Sequence, residues 1–322
     1  MHKPLQLTLG QKKQAALLHH FASLDYLKGL QQRLHDLIAF IDPTLDLAKT
    51  QNRDSVLVDP QWGTRNTSQN WSNNAWPFLA DFRLSIAKSI AERAFEVYTT
   101  TGTNNCAHGI GEYSMQWATP AEESKFNAMF EALSIYAMYI DNTMDKSGYE
   151  SRWDDFNFAV TWQEFKGQFP KLPKFQIRTD VEGETGKVPV RTGVYIPHDD
   201  PHGALQFAWV GGGRGRLQEC ATFNDIGLDA LQAVGRRELW LNDQKMYAFA
   251  TSAKYMSLFK DEVIWKSIPK FNLAPSAVAE EAFTSRPCKW YYVELVNGEF
   301  EDIAEEEAKE AKAEHDGSGA TT

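Results

Sequence analysis

The apolar positions in the first half of the chain recur every three or four residues. This spacing runs through residues 11–41, 78–98 and 119–148, and it places the apolar side chains on one face of a helix. Asp42-Pro43 is expected to end the first helix, and Thr119 begins a capping box ahead of the third. Because each helix must bury its apolar face against another, the pattern predicts an N-terminal helical bundle.

Residues 50–77 have no helical period and are rich in Asn, Ser and Thr. This stretch also carries Trp62, Trp71 and Trp76. Long irregular segments in a compact domain are commonly functional, and rings of this size usually pack on a surface. The tryptophans therefore either hold the loop on the helices beneath it, or Trp62 and Trp71 are exposed for a partner, since Trp is enriched at interface hot spots.

The second half of the chain changes to extended, β-branched and aromatic runs. Runs at 188–196 and 204–210 flank a turn at 197–203 that is rich in Pro, Asp, His and Gly, so they predict a β-hairpin. Residues 290–296 and 299–303 predict a second hairpin around Asn297-Gly298.

The segments between these hairpins carry weaker signals. Residues 216–222 and 239–241 are expected to be short strands, and 243–259 is expected to be a helix. Asn224 or Asp225 is expected to cap a short helix that ends at Gly235.

Aromatic residues cluster at 153–169, with a second capping box at 161–164, and loop signals follow at 179–187, so we place a boundary near residue 175. The sequence thus predicts an α+β fold, with an N-terminal helical bundle packed on a C-terminal mixed α/β half that holds a small antiparallel sheet. The expected regions are 1–174 (helical), 175–304 (α+β with β-hairpins) and 305–322. The last is acidic and lacks an apolar stripe, so it should be a disordered tail that projects into solvent.

The turn of the first hairpin offers His198, Asp199, Asp200 and His202, all residue types that bind metals. Neighbours on an extended segment face opposite ways, however, and Asp in a turn usually accepts backbone N–H groups. We therefore expect no metal, no cofactor and no catalytic residue. A metal-assisted hydrolase that uses this turn is the alternative. The following glycine loop, 211–215, lacks the Lys-Ser/Thr pair of a phosphate loop.

Three segments together resemble a known family. They read GKVPVRTGVYIPHDDPHGALQFAW, TFNDIGLDALQAVG and LAPSAVAEEAFTSRPCKW. Over about residues 185–295 the chain is similar to a predicted immunity-protein family of bacterial polymorphic-toxin and type VI secretion loci. The resemblance implies a cytosolic antidote that binds and neutralises one toxin without catalysis.

Composition narrows the choice of partner. The net charge is −10 and no basic stripe is present, which disfavours a nucleic-acid ligand and favours a toxin with a basic contact surface. No run reaches the ~18 apolar residues of a membrane-spanning helix, and three separated cysteines suit reduced thiols in the cytoplasm. The candidate partner-binding residues are His198, Asp199, Asp200, His202, Arg214, Arg216, Trp62 and Trp71.

Overall fold

The computed structural model describes residues 6–146 and 153–308. Contacts between residues divide the chain into two units. The terminal unit combines Met1–His19 with Lys146–Thr322, and the inserted unit is His20–Asp145. The expected α+β class is confirmed, because helices fill the N-terminal region and a small antiparallel sheet lies in the C-terminal region.

Helix α1 (Leu9–Ala22) begins in the terminal unit and ends in the inserted one, which is otherwise helical. The helices of the inserted unit are α2 (Leu24–Thr50), α3 (Ser68–Asn74), α4 (Trp76–Glu92), α5 (Thr103–Gly111) and α6 (Pro120–Met144). The apolar face of α2 is buried along its length, and α4 and α6 both contact this helix. The predicted bundle is therefore present. The expected end of the third helix at Gly148 lies outside the described residues.

The predicted helix over 11–41 is two helices. The chain turns at Ser23, whose side-chain oxygen accepts a hydrogen bond from the Tyr26 N–H at 3.1 Å and so caps α2. The expectation that Pro43 ends the helix is wrong, because α2 continues to Thr50. Leu45 and Ala48 extend the buried face beyond the proline, and their burial offsets the one backbone hydrogen bond that proline removes.

The capping box at the start of α6 is confirmed: the Thr119 hydroxyl accepts from the Glu122 N–H at 3.3 Å, and the Glu122 carboxylate accepts from the Thr119 N–H at 2.7 Å. Two short helices were not predicted. Helix α3 lies in the segment expected to be irregular, where Thr67 caps it. Helix α5 starts directly after Gly102, which has a φ of 89°.

The terminal unit contains the remaining elements. Its helices are α7 (Asp155–Phe165), α8 (Asp225–Val234), α9 (Asp243–Ala250), α10 (Met256–Val263) and α11 (Ala274–Glu281). Its strands are β1 (Leu172–Glu184), β2 (Gly193–Pro197), β3 (Gln206–Ala208), β4 (Cys220–Phe223), β5 (Ile264–Trp265), β6 (Ile268–Pro269), β7 (Phe283–Arg286) and β8 (Lys289–Glu301). The main sheet has the order β1-β8-β2-β3, and β4 pairs with β7.

The first predicted hairpin is confirmed, because β2 and β3 pair antiparallel with Val194 opposite Phe207. The second is wrong: β8 is one continuous strand that includes Asn297 and Gly298. It pairs with β1 on one side and β2 on the other. The β2 ladder ends at Val293, and the pairing with β1 is interrupted after Leu295 and resumes at Phe300, so β8 continues along β1 beyond the expected turn.

Strand β1 covers residues 179–184, which were expected to be a loop, and the boundary predicted near residue 175 falls inside this strand. The capping box predicted at 161–164 lies within α7, which Asp154 caps instead. The side chain of Asn224 does cap α8, and Gly235 follows it with a φ of 84°.

Other short elements differ from the prediction. The strand expected at 216–222 starts only at Cys220. The helix expected over 243–259 is divided by a turn into α9 and α10, and residues 239–241 form a turn with Trp240 at a φ of 69° rather than a strand. The expected tail begins differently, because residues 303–308 are helical. Residues 309–322 lie outside the described part of the chain.

Candidate functional site

The turn at 197–203 is held by a buried carboxylate. Asp200 accepts hydrogen bonds from Nε and Nη2 of Arg286, at 3.1 and 2.8 Å, and from the backbone N–H of His202 at 2.9 Å. Arg286 lies beside the turn because strand β7 pairs with strand β4, in a register that places Arg286 opposite Cys220. Burial alone would raise the pKa of Asp200, but the hydrogen bonds from Arg286, Thr222 and His202 outweigh it and lower the pKa. Asp200 is therefore an ionised structural group.

The other polar residues of the turn point in different directions. His198 and Asp199 are exposed and pair with each other, and the His198 ring meets the Tyr291 ring edge-on at 4.6 Å. His202 is half-buried against Phe223. Among residues 6–146 and 153–308, no group of three or more His, Cys, Asp or Glu side chains is arranged to hold a metal ion. The ligand set that the metal-assisted alternative requires is not assembled at this turn.

The glycine loop presents two cations to solvent. Gly212 and Gly213 have φ values of 67° and 69°, a conformation that side-chain-bearing residues rarely adopt. Arg214 and Arg216 are exposed, so both are accessible to a partner.

Trp71 is fully buried, so the interpretation that it is exposed for a partner is wrong. Its ring packs against those of Trp117 and Phe126, with centroids 5.5 and 5.8 Å away. Trp76 donates from Nε1 to the Asp42 carboxylate at 2.8 Å. Trp71 and Trp76 therefore hold residues 50–77 on the helices, which is the first of the two roles considered for them from the sequence.

Trp62, in contrast, is 59% exposed. It lies in a tight turn in which Asp59 and Gly63 exchange backbone hydrogen bonds of 2.9 and 2.7 Å. The Asp59 carboxylate also accepts from the N–H groups of Gln61 and Trp62, at 2.7 and 2.9 Å. Four hydrogen bonds therefore fix the backbone that presents this ring to solvent.

A groove lies beside this turn. Its volume is about 460 Å³, and its lining includes Trp62, Arg65, Glu112 and Tyr113. The Arg65 guanidinium lies 6.0 Å from the centroid of the Trp62 ring. We call this surface the Trp62 groove. It combines aromatic rings with an arginine, residue types that are enriched at protein interfaces.

A second cavity, of about 450 Å³, lies in the terminal unit and was not predicted from the sequence. Phe158, Trp162 and Trp240 are among its walls, and Lys13 and Lys166 are among its charged lining residues. We call it the aromatic cavity. Phe158 and Trp162 belong to the aromatic cluster at 153–169 that the sequence shows.

A buried carboxylate organises the wall of the aromatic cavity. Asp155 accepts from Nη1 and Nη2 of Arg236 at 2.8 and 2.5 Å, and from Nε1 of Trp240 at 2.8 Å. Trp240 has a φ of 69°, which is strained for a bulky side chain. The hydrogen bond to Asp155 and the burial of its ring hold Trp240 in this conformation.

None of the protein-family models, curated proteins or solved structures compared with this chain matches it. Within residues 6–146 and 153–308, no helix has both the length and the apolar character needed to cross a membrane.

Proposed function

We propose that this protein is a non-catalytic cytosolic immunity protein that binds a cognate bacterial toxin and neutralises it by occlusion. The sequence resemblance over about residues 185–295 supports the class of protein. The observation that carries the binding role is the exposed ring of Trp62, presented beside a groove on a hydrogen-bonded turn.

An antidote of this kind needs nanomolar affinity, about −12 kcal/mol, which usually depends on a few aromatic or arginine anchors. Trp62 provides a large apolar surface, and Arg65 lies over its ring. Because Asp59 already fixes the turn through two side-chain hydrogen bonds, little backbone entropy is lost when a partner covers the tryptophan.

The charge of the chain supports a toxin with a basic contact surface. The net charge is −10, which accelerates encounter with a cationic protein. Glu112 is exposed in the Trp62 groove and can pair with a basic group there. On the terminal unit, Asp199 is the carboxylate of the hairpin turn that remains exposed, so it is the second candidate contact.

The test uses the product of the adjacent upstream gene as the candidate toxin. Cells that express it should grow only when this protein is co-expressed, and calorimetry should show a stable complex of the two purified proteins. Trp62→Ala should weaken the complex about 30-fold or more, as expected for a hot spot. Trp265→Ala is the matched control, because this ring is 55% exposed but lies on β5 of the terminal unit.

The outcomes distinguish whether the protein has the immunity function from where on its surface the toxin binds. If the wild-type protein neither binds the candidate nor restores growth, the immunity function is wrong. If the wild type binds but Trp62→Ala has the affinity of the Trp265→Ala control, the toxin does not use the Trp62 groove. Asp199→Ala then tests the hairpin turn as the contact in its place.

A further inference from the structure

The aromatic cavity has the features of a small-molecule site, and we propose that it binds a ligand made of a planar apolar body and a carboxylate. This proposal does not depend on the immunity function, because the cavity lies in the terminal unit and the Trp62 groove in the inserted one.

The dimensions and walls of the cavity suit a planar molecule. Its volume of about 450 Å³ lies within the range of small-molecule pockets, which are roughly 300–1,000 Å³. Phe158, Trp162 and Trp240 line the cavity, and although each is 7% exposed or less, the exposed part of their rings is apolar surface against which a flat ring can pack.

The charges around the cavity select an anion. Four cations line it, Lys13, Lys166, Arg236 and Arg237, against two acids, Asp155 and Glu307. Asp155 is already occupied by two hydrogen bonds from Arg236 and one from Trp240. The residues that line the cavity therefore include more cations than acids, which favours an anionic ligand group over a cationic one.

The chain itself places a carboxylate at this position. Oε1 of Glu307 lies 3.1 Å from Nζ of Lys13, and that Nζ lies 5.4 Å from the centroid of the Trp162 ring. Glu307 thus marks where a ligand carboxylate can accept hydrogen bonds beside an aromatic wall. Lys166, which now donates to Gln163 at 2.8 Å, can turn to provide a second donor. Glu307 belongs to the helical segment 303–308, so it competes with the ligand for Lys13.

The strained residue in the cavity wall supports a site rather than a packing defect. Trp240 keeps its positive φ only because Asp155 and the surrounding residues fix it, and strain of this kind is concentrated at functional sites. The result is a rigid aromatic wall, formed before any ligand arrives.

The test compares 2-naphthoate with its neutral isostere 2-naphthamide by calorimetry, using the full-length protein. We expect saturable binding of the naphthoate, with the naphthamide about 10-fold weaker or more. Lys13→Gln combined with Lys166→Gln should remove this preference. Glu307→Gln should tighten naphthoate binding, because it removes the internal competitor. Glu305→Gln is the matched control, since Glu305 is exposed and does not line the cavity.

Three results would each overturn the proposal. The first is that naphthoate binds neither the wild type nor the Glu307→Gln variant. The second is that naphthamide binds as tightly as naphthoate. The third is that the double lysine variant keeps the preference while its melting temperature equals that of the wild type, which would show that the carboxylate lies elsewhere.

Discussion

Arg286 donates two hydrogen bonds to the carboxylate of Asp200, 86 positions earlier in the chain. This pair connects strand β7 to the turn of the β2–β3 hairpin. The turn at 197–203, which holds the residue types considered as metal ligands, is therefore fixed by an arginine on a distant strand. No local sequence pattern indicates this contact. Asp200 is buried and stabilises the fold through this pair, whereas the neighbouring Asp199 is exposed to solvent.

Arg286→Ala should lower the free energy of unfolding by about 1–3 kcal/mol, because it leaves the buried Asp200 carboxylate without its main partner. Urea denaturation followed by circular dichroism measures the change. Arg214→Ala, which removes an exposed arginine from the glycine loop, is the control and should leave stability unchanged. Equal stability of both variants would show that the Asp200–Arg286 pair contributes nothing.

The same pair predicts a pH dependence. The pKa of Asp200 is below its ordinary value of 3.8, since hydrogen bonds to the carboxylate outweigh the effect of burial. A carboxyl group with a depressed folded-state pKa stabilises the fold above its unfolded pKa, and this contribution is lost as the pH falls through the folded-state value. Asp200→Asn should therefore flatten the loss of stability below about pH 4. The measurement is the free energy of unfolding as a function of pH for the wild type and the variant. Two curves that stay parallel down to acid unfolding would contradict the prediction.

Asp155→Ala should lower the free energy of unfolding by about 2–3 kcal/mol, because it removes the acceptor of the buried Trp240 indole N–H and of two hydrogen bonds from Arg236. Trp240→Phe should cost less, about 1–2 kcal/mol, since it removes the N–H donor but keeps most of the ring. Asp261→Ala, at an exposed position of α10, controls for the loss of a negative charge. Denaturant midpoints of the three variants should follow this order.

The cysteines should differ in reactivity. A hydrogen bond with Cys220 lowers the pKa of Cys288, helped by the Thr185 hydroxyl and the Arg286 charge against the effect of burial. Burial raises the pKa of Cys106 to about 12. Since the thiolate is the nucleophile, iodoacetamide should modify Cys288 first in the native protein, as peptide mapping by mass spectrometry will show. Arg286→Ala should slow this reaction, and faster modification of Cys106 would contradict the prediction.

Removal of residues 309–322 should leave the melting temperature unchanged. Removal of 303–322 should reduce stability by about 1 kcal/mol, because Glu306 and Glu307 pair with Lys12 and Lys13 at 2.5 and 3.1 Å. Differential scanning calorimetry of the two truncated proteins tests this. Identical melting temperatures would show that the two ion pairs do not stabilise the start of α1.

The sequence predicted elements whose signals are local. The capping box at Thr119, the Asn224 cap and the glycine that follows α8 each depend on residues within a few positions, and all three are in the structure. The β2–β3 hairpin was predictable for the same reason, since its turn chemistry and its two apolar runs are adjacent.

The failures depend on distant partners. Strand β1 was expected to be partly loop because its pairing partner, β8, lies more than a hundred residues later, and Pro43 fails to end α2 because tertiary burial continues beyond it. Trp62 and Trp71 have the same side chain and similar neighbours in sequence, yet only the packing of Trp117 and Phe126 makes one a core residue. The aromatic cavity is lined by residues from four separate stretches of the chain, which no single sequence pattern contains.

The place of β8 in the main sheet has a consequence for synthesis on the ribosome. This interior strand is the last of the described strands to be made, so β1 and β2 emerge and remain without their shared partner until residues 289–301 have been translated. The inserted unit is continuous from His20 to Asp145 and can fold as soon as it leaves the exit tunnel. The nascent chain therefore contains a folded inserted unit before Lys12, near the start of α1, can form its ion pairs with Glu301 and Glu306.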